Sequence, residues 1–128
     1  MAPRPPEEPS GDVPACRIGT DLWYRREPDG TFRIGLTDDA VRRAGTLAQY
    51  RGPEPGRTYL GGEPAASIES EKWVGHLALP VDGTVVESNP AAEADPRTIN
   101  RDPYGAGWLY RMRPSAPGLL EARTEGPG

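Results

Sequence analysis

Lysine is almost absent from this 128-residue chain: of its fifteen Lys and Arg residues, fourteen are arginines and only Lys72 is a lysine. Cysteine and histidine also occur once each, as Cys16 and His76. A single cysteine excludes an internal disulfide and suits a reducing compartment, so Cys16 reads as an incidental thiol. One histidine with no cysteine pair leaves no set of ligands for a metal site. No apolar run approaches the roughly 20 residues needed to cross a bilayer. The N-terminus lacks the apolar segment of a secretory signal, and Glu7 and Glu8 argue against an organelle transit peptide. These absences predict a cytoplasmic protein with no membrane partner. The net charge of −4, with arginines interspersed among acids, disfavours nucleic acid, because phosphate binding needs a basic patch.

What the chain has in quantity is turn formers, sixteen glycines and sixteen prolines. Five of the prolines fall in the first fifteen residues, MAPRPPEEPSGDVPA, and Pro117-Gly118 and a Gly-Pro-Gly end mark the other terminus. Both stretches are poor in apolar bulk and read as disordered tails. All three tryptophans, all five tyrosines and the only phenylalanine lie between about Arg17 and Pro114. That segment is the predicted folded unit.

Its pattern is mostly short strands divided by turns. LWYRREPDGTFRIGL carries two alternating runs joined by Glu27-Pro28-Asp29-Gly30, the chemistry of a hairpin. Thr37-Asp38-Asp39 supplies a hydroxyl cap and first-turn acids, Arg42 and Arg43 suit a helix C-terminus, and Gly45 suits its stop, so a two-turn helix is predicted. TLAQYR, RTYL, PAASIES, WVGHLAL, TVVES and GWLYRMR read as further strands. Asn89-Pro90 starts a second short helix that restarts after Asp95-Pro96. The sum is an all-β-dominated antiparallel sandwich or barrel with two short helices.

The residues that carry chemistry are few. His76 lies in a strand and reads as a half-exposed strand residue rather than a base. Glu69, Glu71, Asp38 and Asp39 sit at a turn or a helix start, where carboxylates are usually solvated. No phosphate loop and no Gly-x-Ser-x-Gly elbow occurs, so no catalytic machinery is expected. Lys72 lies between two strands in IESEKWVG, which places it at a hairpin tip. There it is either an ordinary exposed turn lysine or a tether: unlike arginine, its amine can lose a proton and be acylated.

IESEKWVG, with Glu69, Ser70 and Lys72, resembles the lipoyl-attachment segment of glycine cleavage H proteins. IGLTDDA at 34–40, PVDGTVVESNP at 80–90 and DPRTINRDPYGAGWLY at 95–110 follow the same family's order; Asn100, the run Asp102 to Gly105, Gly107 and Trp108 are the most specific part. The resemblance covers about residues 20 to 115. It implies a flattened barrel or sandwich of the lipoyl and biotinyl type. The expected organisation is a proline-rich tail at 1–16, a lipoyl-binding domain at 17–115 and a flexible tail at 116–128. It further implies a monomeric, non-catalytic carrier with lipoate covalently attached to Lys72, shuttling an aminomethyl group from glycine decarboxylase (P protein) to aminomethyltransferase (T protein). Dihydrolipoamide dehydrogenase (L protein) would reoxidise it, and a lipoyl ligase or transferase would recognise Glu69, Ser70 and Glu71.

The chain departs from the family pattern at several surface positions. Asp21-Leu22-Trp23 stands where a His-Glu-Trp-like start is usual, Trp73 follows the lysine where a small residue is common, and Pro117-Gly118 argues against the family's C-terminal helix. Trp73 either packs back on the hairpin or anchors a partner, and Asp21 is a second candidate contact. The alternatives are an H-like lipoyl protein of another pathway, a sulfur carrier for a heterodisulfide-reductase-like complex or a lipoyl relay, and an unmodified scaffold of the same fold.

Overall fold

The computed structural model describes residues 16–123. The proline-rich stretch 1–15 and residues 124–128 lie outside them. Among the described residues nine strands and four short helices follow in chain order: β1 Cys16–Ile18, β2 Leu22–Arg26, β3 Phe32–Leu36, α1 Asp38–Ala44, β4 Leu47–Arg51, β5 Thr58–Tyr59, β6 Pro64–Ser70, β7 Val74–Ala78, β8 Gly83–Ser88, α2 Pro90–Ala94, α3 Arg97–Arg101, β9 Tyr110–Pro114 and α4 Leu119–Ala122. They form a six-stranded sheet in the order β1-β2-β3-β9-β8-β5 and a three-stranded sheet in the order β4-β6-β7. Every strand pair is antiparallel. This is the flattened antiparallel sandwich expected.

Strand alternation supplies the core between the sheets. Phe32, Ile34 and Leu36 of β3 face Tyr110 and Met112 of β9 and Ile68 of β6 in one buried cluster. On the outward side of β2 and β3 lies a second, smaller cluster, Trp23 and Trp108 with Tyr104 packed against them. There Trp23, fully buried, lies opposite Gly35 in register, and a Cβ on Gly35 would stand 2.4 Å from the indole. Glycine is required at that crossing. The indole Nε1 donates to Pro103 O at 3.1 Å, which ties the loop after α3 to this outer face, where Trp108 is also buried.

Arginines continue that outer layer. Arg25, Arg33 and Arg111 are direct cross-strand neighbours on β2, β3 and β9. Three cations in a row repel, and the row is compensated. Arg25 lies over Trp23 at 4.8 Å, and Arg33 lies over Trp108 at 4.6 Å while pairing with Glu27. Arg111 bridges Asp29 and Glu87. Planar guanidinium groups stack in this way and ammonium groups do not.

The cap signals act as read. Thr37 Oγ1 accepts from Ala40 N at 3.1 Å, and Asn89 Oδ1 accepts from Ala91 N at 3.0 Å. The predicted second helix is broken at Asp95-Pro96 into α2 and α3. Two expectations are corrected. Cys16, assigned to the tail, opens β1 and packs partly buried against the core. The segment from 116, read as a helix-free flexible tail, contains α4 up to its last described residues. Gly118 takes a φ of +82° to turn the chain, Leu120 is fully buried, and Arg123 donates to Pro80 O at 2.5 Å. A four-residue helix has little stability of its own. Burying one leucine contributes roughly 1.5–3 kcal/mol, and that outweighs the weak local preference.

Asn89 gives a test of the fold. Besides capping α2, its Nδ2 donates to Ala106 O and Trp108 O at 2.8 and 2.7 Å in a site only 3% exposed. Asn89→Ala removes the cap and strands two carbonyls, so a loss of about 3 kcal/mol is expected. Urea unfolding measures it. A midpoint equal to wild type would contradict this role.

Candidate functional site

The site is the turn that joins β6 to β7. Glu69 and Val74 form its last register pair. Beyond them Ser70 N donates to Trp73 O at 2.8 Å, and Ser70 Oγ donates to the same carbonyl at 3.1 Å. Glu71 and Lys72 are therefore the two central residues of a tight hairpin, as the spacing implied. Ser70 points inward and is 8% exposed, so its hydroxyl closes the turn rather than facing solvent. Glu69 is exposed on β6.

This turn does not project freely. Glu71 N donates to Thr46 O and Lys72 N to Ala44 O, both at 3.1 Å. Glu71 Oε1 accepts from Thr46 N at 2.8 Å. The end of α1 and the residues before β4 thus form a seat under the turn. Gly45 makes the approach possible: its φ is +79°, and a Cβ there would stand 2.6 Å from Glu71 Oε1. Gly45 is legible in the sequence as a helix stop but the seat is not, because backbone carbonyls 25 and 28 residues upstream leave no side-chain signature.

The bonds from Thr46, its backbone N–H first and its hydroxyl second, hold the Glu71 carboxyl below its usual range, against a smaller opposing effect of desolvation. Lys72 is exposed, and its ammonium makes no hydrogen bond or ion pair among the described residues. The backbone at Lys72 is fixed and the amine is free.

Beside the lysine lies a cleft of about 280 Å³. Leu36, Ala40, Ile68 and Leu77 give it apolar walls, with Lys72 and Trp73 on its lining. Asp21, the one lining carboxylate among the described residues, is paired with Arg43 at 2.6 Å, both half-exposed. Trp73 is 41% exposed, and its indole lies over the backbone of Gly75, where a Cβ would stand 2.7 Å from Cζ2. Folding back and partial exposure coexist in this side chain. His76 stands exposed on β7 opposite Ser67, away from the seat. A fixed turn, an unpaired amine and an adjoining apolar cleft fit a covalently tethered arm.

A family model described as "Glycine cleavage H-protein" matches residues 16–123. Glycine cleavage system H protein 2 of Aquifex aeolicus is 39% identical over 98 residues, covering 77% of this chain; the chain spans only 61% of that relative's length. Glycine cleavage system H protein 5 of the same organism is 42% identical over 117 residues, covering 83% of this chain and 79% of the relative. Among solved structures, a glycine cleavage system H protein from Mycobacterium marinum superposes with a TM-score of 0.71 at 40% identity, covering 81% of this chain and 85% of that one.

The Glu71 contact carries a pH prediction. A carboxyl whose folded value is depressed contributes above its unfolded value, about 4.3, and loses that contribution as pH falls through the folded one. The Thr46 amide resonance is expected to stay constant from pH 7 to about 5 and to move only below the ordinary carboxylate range. A transition centred above about 4.5 would contradict the bond.

Proposed function

The chain belongs to the glycine cleavage H-protein family, and on that premise we propose that it is a carrier whose lipoyl group is attached to Lys72. The observation that carries this reading is the unpaired Lys72 amine on a turn whose backbone is fixed. An acylating enzyme needs an amine it can reach and a backbone it can align, and the seat under the turn meets the second need. Glu69 offers an exposed carboxylate for recognition by a lipoyl ligase or transferase, while Ser70 and Glu71 act by holding the shape of the turn. When attached, the lipoyl group would supply a disulfide that can open to carry a group on one sulfur and that must be reoxidised once the group has left, while the enzymes that load, unload and reoxidise it would supply the catalysis.

Glycine cleavage is the first pathway proposed, with glycine decarboxylase, aminomethyltransferase and dihydrolipoamide dehydrogenase as partners. Trp73 and Asp21 lie where such partners would meet the tip. A tether also raises the local concentration of its cargo near a docked enzyme. The apolar walls of the cleft, Leu36, Ala40, Ile68 and Leu77, offer the arm a surface to pack against.

One observation favours a second reading. The cargo of glycine cleavage carries an amine, and among the described residues the one carboxylate lining the cleft is already held by Arg43. A neutral or anionic sulfur group meets no such mismatch, which suits an H-like carrier for a heterodisulfide-reductase-like complex.

Lys72→Arg keeps the charge and removes the acylatable amine. It is expected to unfold within about 0.5 kcal/mol of wild type, as an exposed turn residue does, and to take no lipoate from a lipoyl ligase. A marked loss of stability, or lipoylation elsewhere in the variant, would contradict the tether. The pathways separate in glycine–bicarbonate exchange with the cognate decarboxylase. Exchange is expected if the cargo is aminomethyl, and no exchange by fully lipoylated protein would leave the sulfur reading.

A further inference from the structure

The seat under the Lys72 turn is not held by the sheets. At the start of β4 the ladder to β6 is irregular: Leu47 pairs with Ser70 and Gln49 with Glu69, with a register shift between them. A strand beginning at such a bulge does not fix the residues that precede it. Those residues, Ala44 to Thr46, are the ones that receive the turn. They are fixed from another direction.

Asn100 on α3 reaches across to them. Its Oδ1 accepts from Leu47 N at 2.8 Å, and its Nδ2 donates to Gly45 O at 3.0 Å. The two contacts bracket Thr46, whose own N–H and C=O both bind Glu71. One planar amide thus clamps the backbone on either side of the residue that holds the turn. Asparagine suits this position because it has a donor and an acceptor on one short, planar group; aspartate has no donor when ionised, and alanine has neither.

The element that carries Asn100 is itself rigid. Ile99 is fully buried, and the loop after α3 crosses it so closely that a Cβ on Gly107 would stand 2.6 Å from Ile99 Cα. A clamp mounted on such a helix transmits position rather than motion.

We propose that Asn100 is the positioning residue of the Lys72 tether: through Gly45, Thr46 and Leu47 it fixes the seat of the turn and so sets where the lysine amine is presented to the enzyme that acylates it. The enzymatic part of this inference rests on the reading of Lys72 as the attachment point. Asn100 touches neither the lysine amine nor the cleft, so it acts entirely through the backbone.

The test uses Asn100→Ala with two measurements. The first is amide hydrogen exchange at Thr46, Glu71 and Lys72, with Ile34 and Val85 as core references. Exchange at the three seat amides is expected to quicken about tenfold, the worth of one hydrogen bond, with the references unchanged. The second compares acylation of Lys72 by a lipoyl ligase with acylation by N-acetoxysuccinimide, both read from the mass of the peptide containing the only lysine. The ligase rate at sub-saturating protein is expected to fall about tenfold and the reagent rate to stay the same. Should Asn100→Ala not fold, Asn100→Asp keeps the shape and the acceptor toward Leu47, loses the donor toward Gly45, and is expected to show the same confined loosening. Unchanged seat exchange, equal acceleration at seat and core, or a ligase rate equal to wild type would each overturn the proposal. A ligase that leaves wild-type Lys72 unmodified would instead overturn the attachment reading, while the exchange measurement still decides the role of Asn100.

Discussion

Two backbone donors at the tip of one hairpin, those of Glu71 and Lys72, are accepted by carbonyls of Thr46, just before β4, and of Ala44, at the end of α1. A two-residue turn left in solvent would move freely, and its side chain would sweep a wide volume. Here the turn is seated, its carboxylate returns a third bond to Thr46, and only the lysine side chain is loose. Much of the fold converges on that seat. Thr37 caps the helix that ends in it, Gly45 makes room for it, and α3 packs beside it.

The contrast between arginine and lysine has a physical basis in the same structure. Arg25, Arg33 and Arg57 stack over Trp23, Trp108 and Tyr59, and Arg111 forks between two carboxylates. Each of these positions uses a flat, delocalised cation with several donors. Lys72 uses none of that geometry. On the proposed reading it occupies a position where a primary amine has a chemical use that guanidinium lacks, which is why a single lysine among fourteen arginines is informative.

The readable parts of the sequence were those with local chemistry. Glu27-Pro28-Asp29-Gly30, the Thr37 and Asn89 caps and the β6–β7 turn each state their geometry within a few residues, and each forms as stated. What stayed hidden depends on contacts between distant segments. Helix α4 exists because Leu120 finds the core, although Pro117-Gly118 locally discourages a helix. The local sequence also does not show that the Ser70 hydroxyl closes the turn from inside, or that Glu71, exposed as it is, binds a backbone amide 25 residues away. The pairing of Asp21 with Arg43, 22 residues apart, is equally silent, and it changes the charge that the cleft offers.

The central claim is that the one lysine is a tether, and the mass of the protein from its native cell tests it most directly. Digestion and peptide mapping would locate any increment. A lipoyl increment confined to the peptide containing Ile68 to Gly75, on Lys72, is expected. An unmodified Lys72 from cells that lipoylate their other carriers would contradict it, and would leave a fold that has kept its seat and lost its cargo.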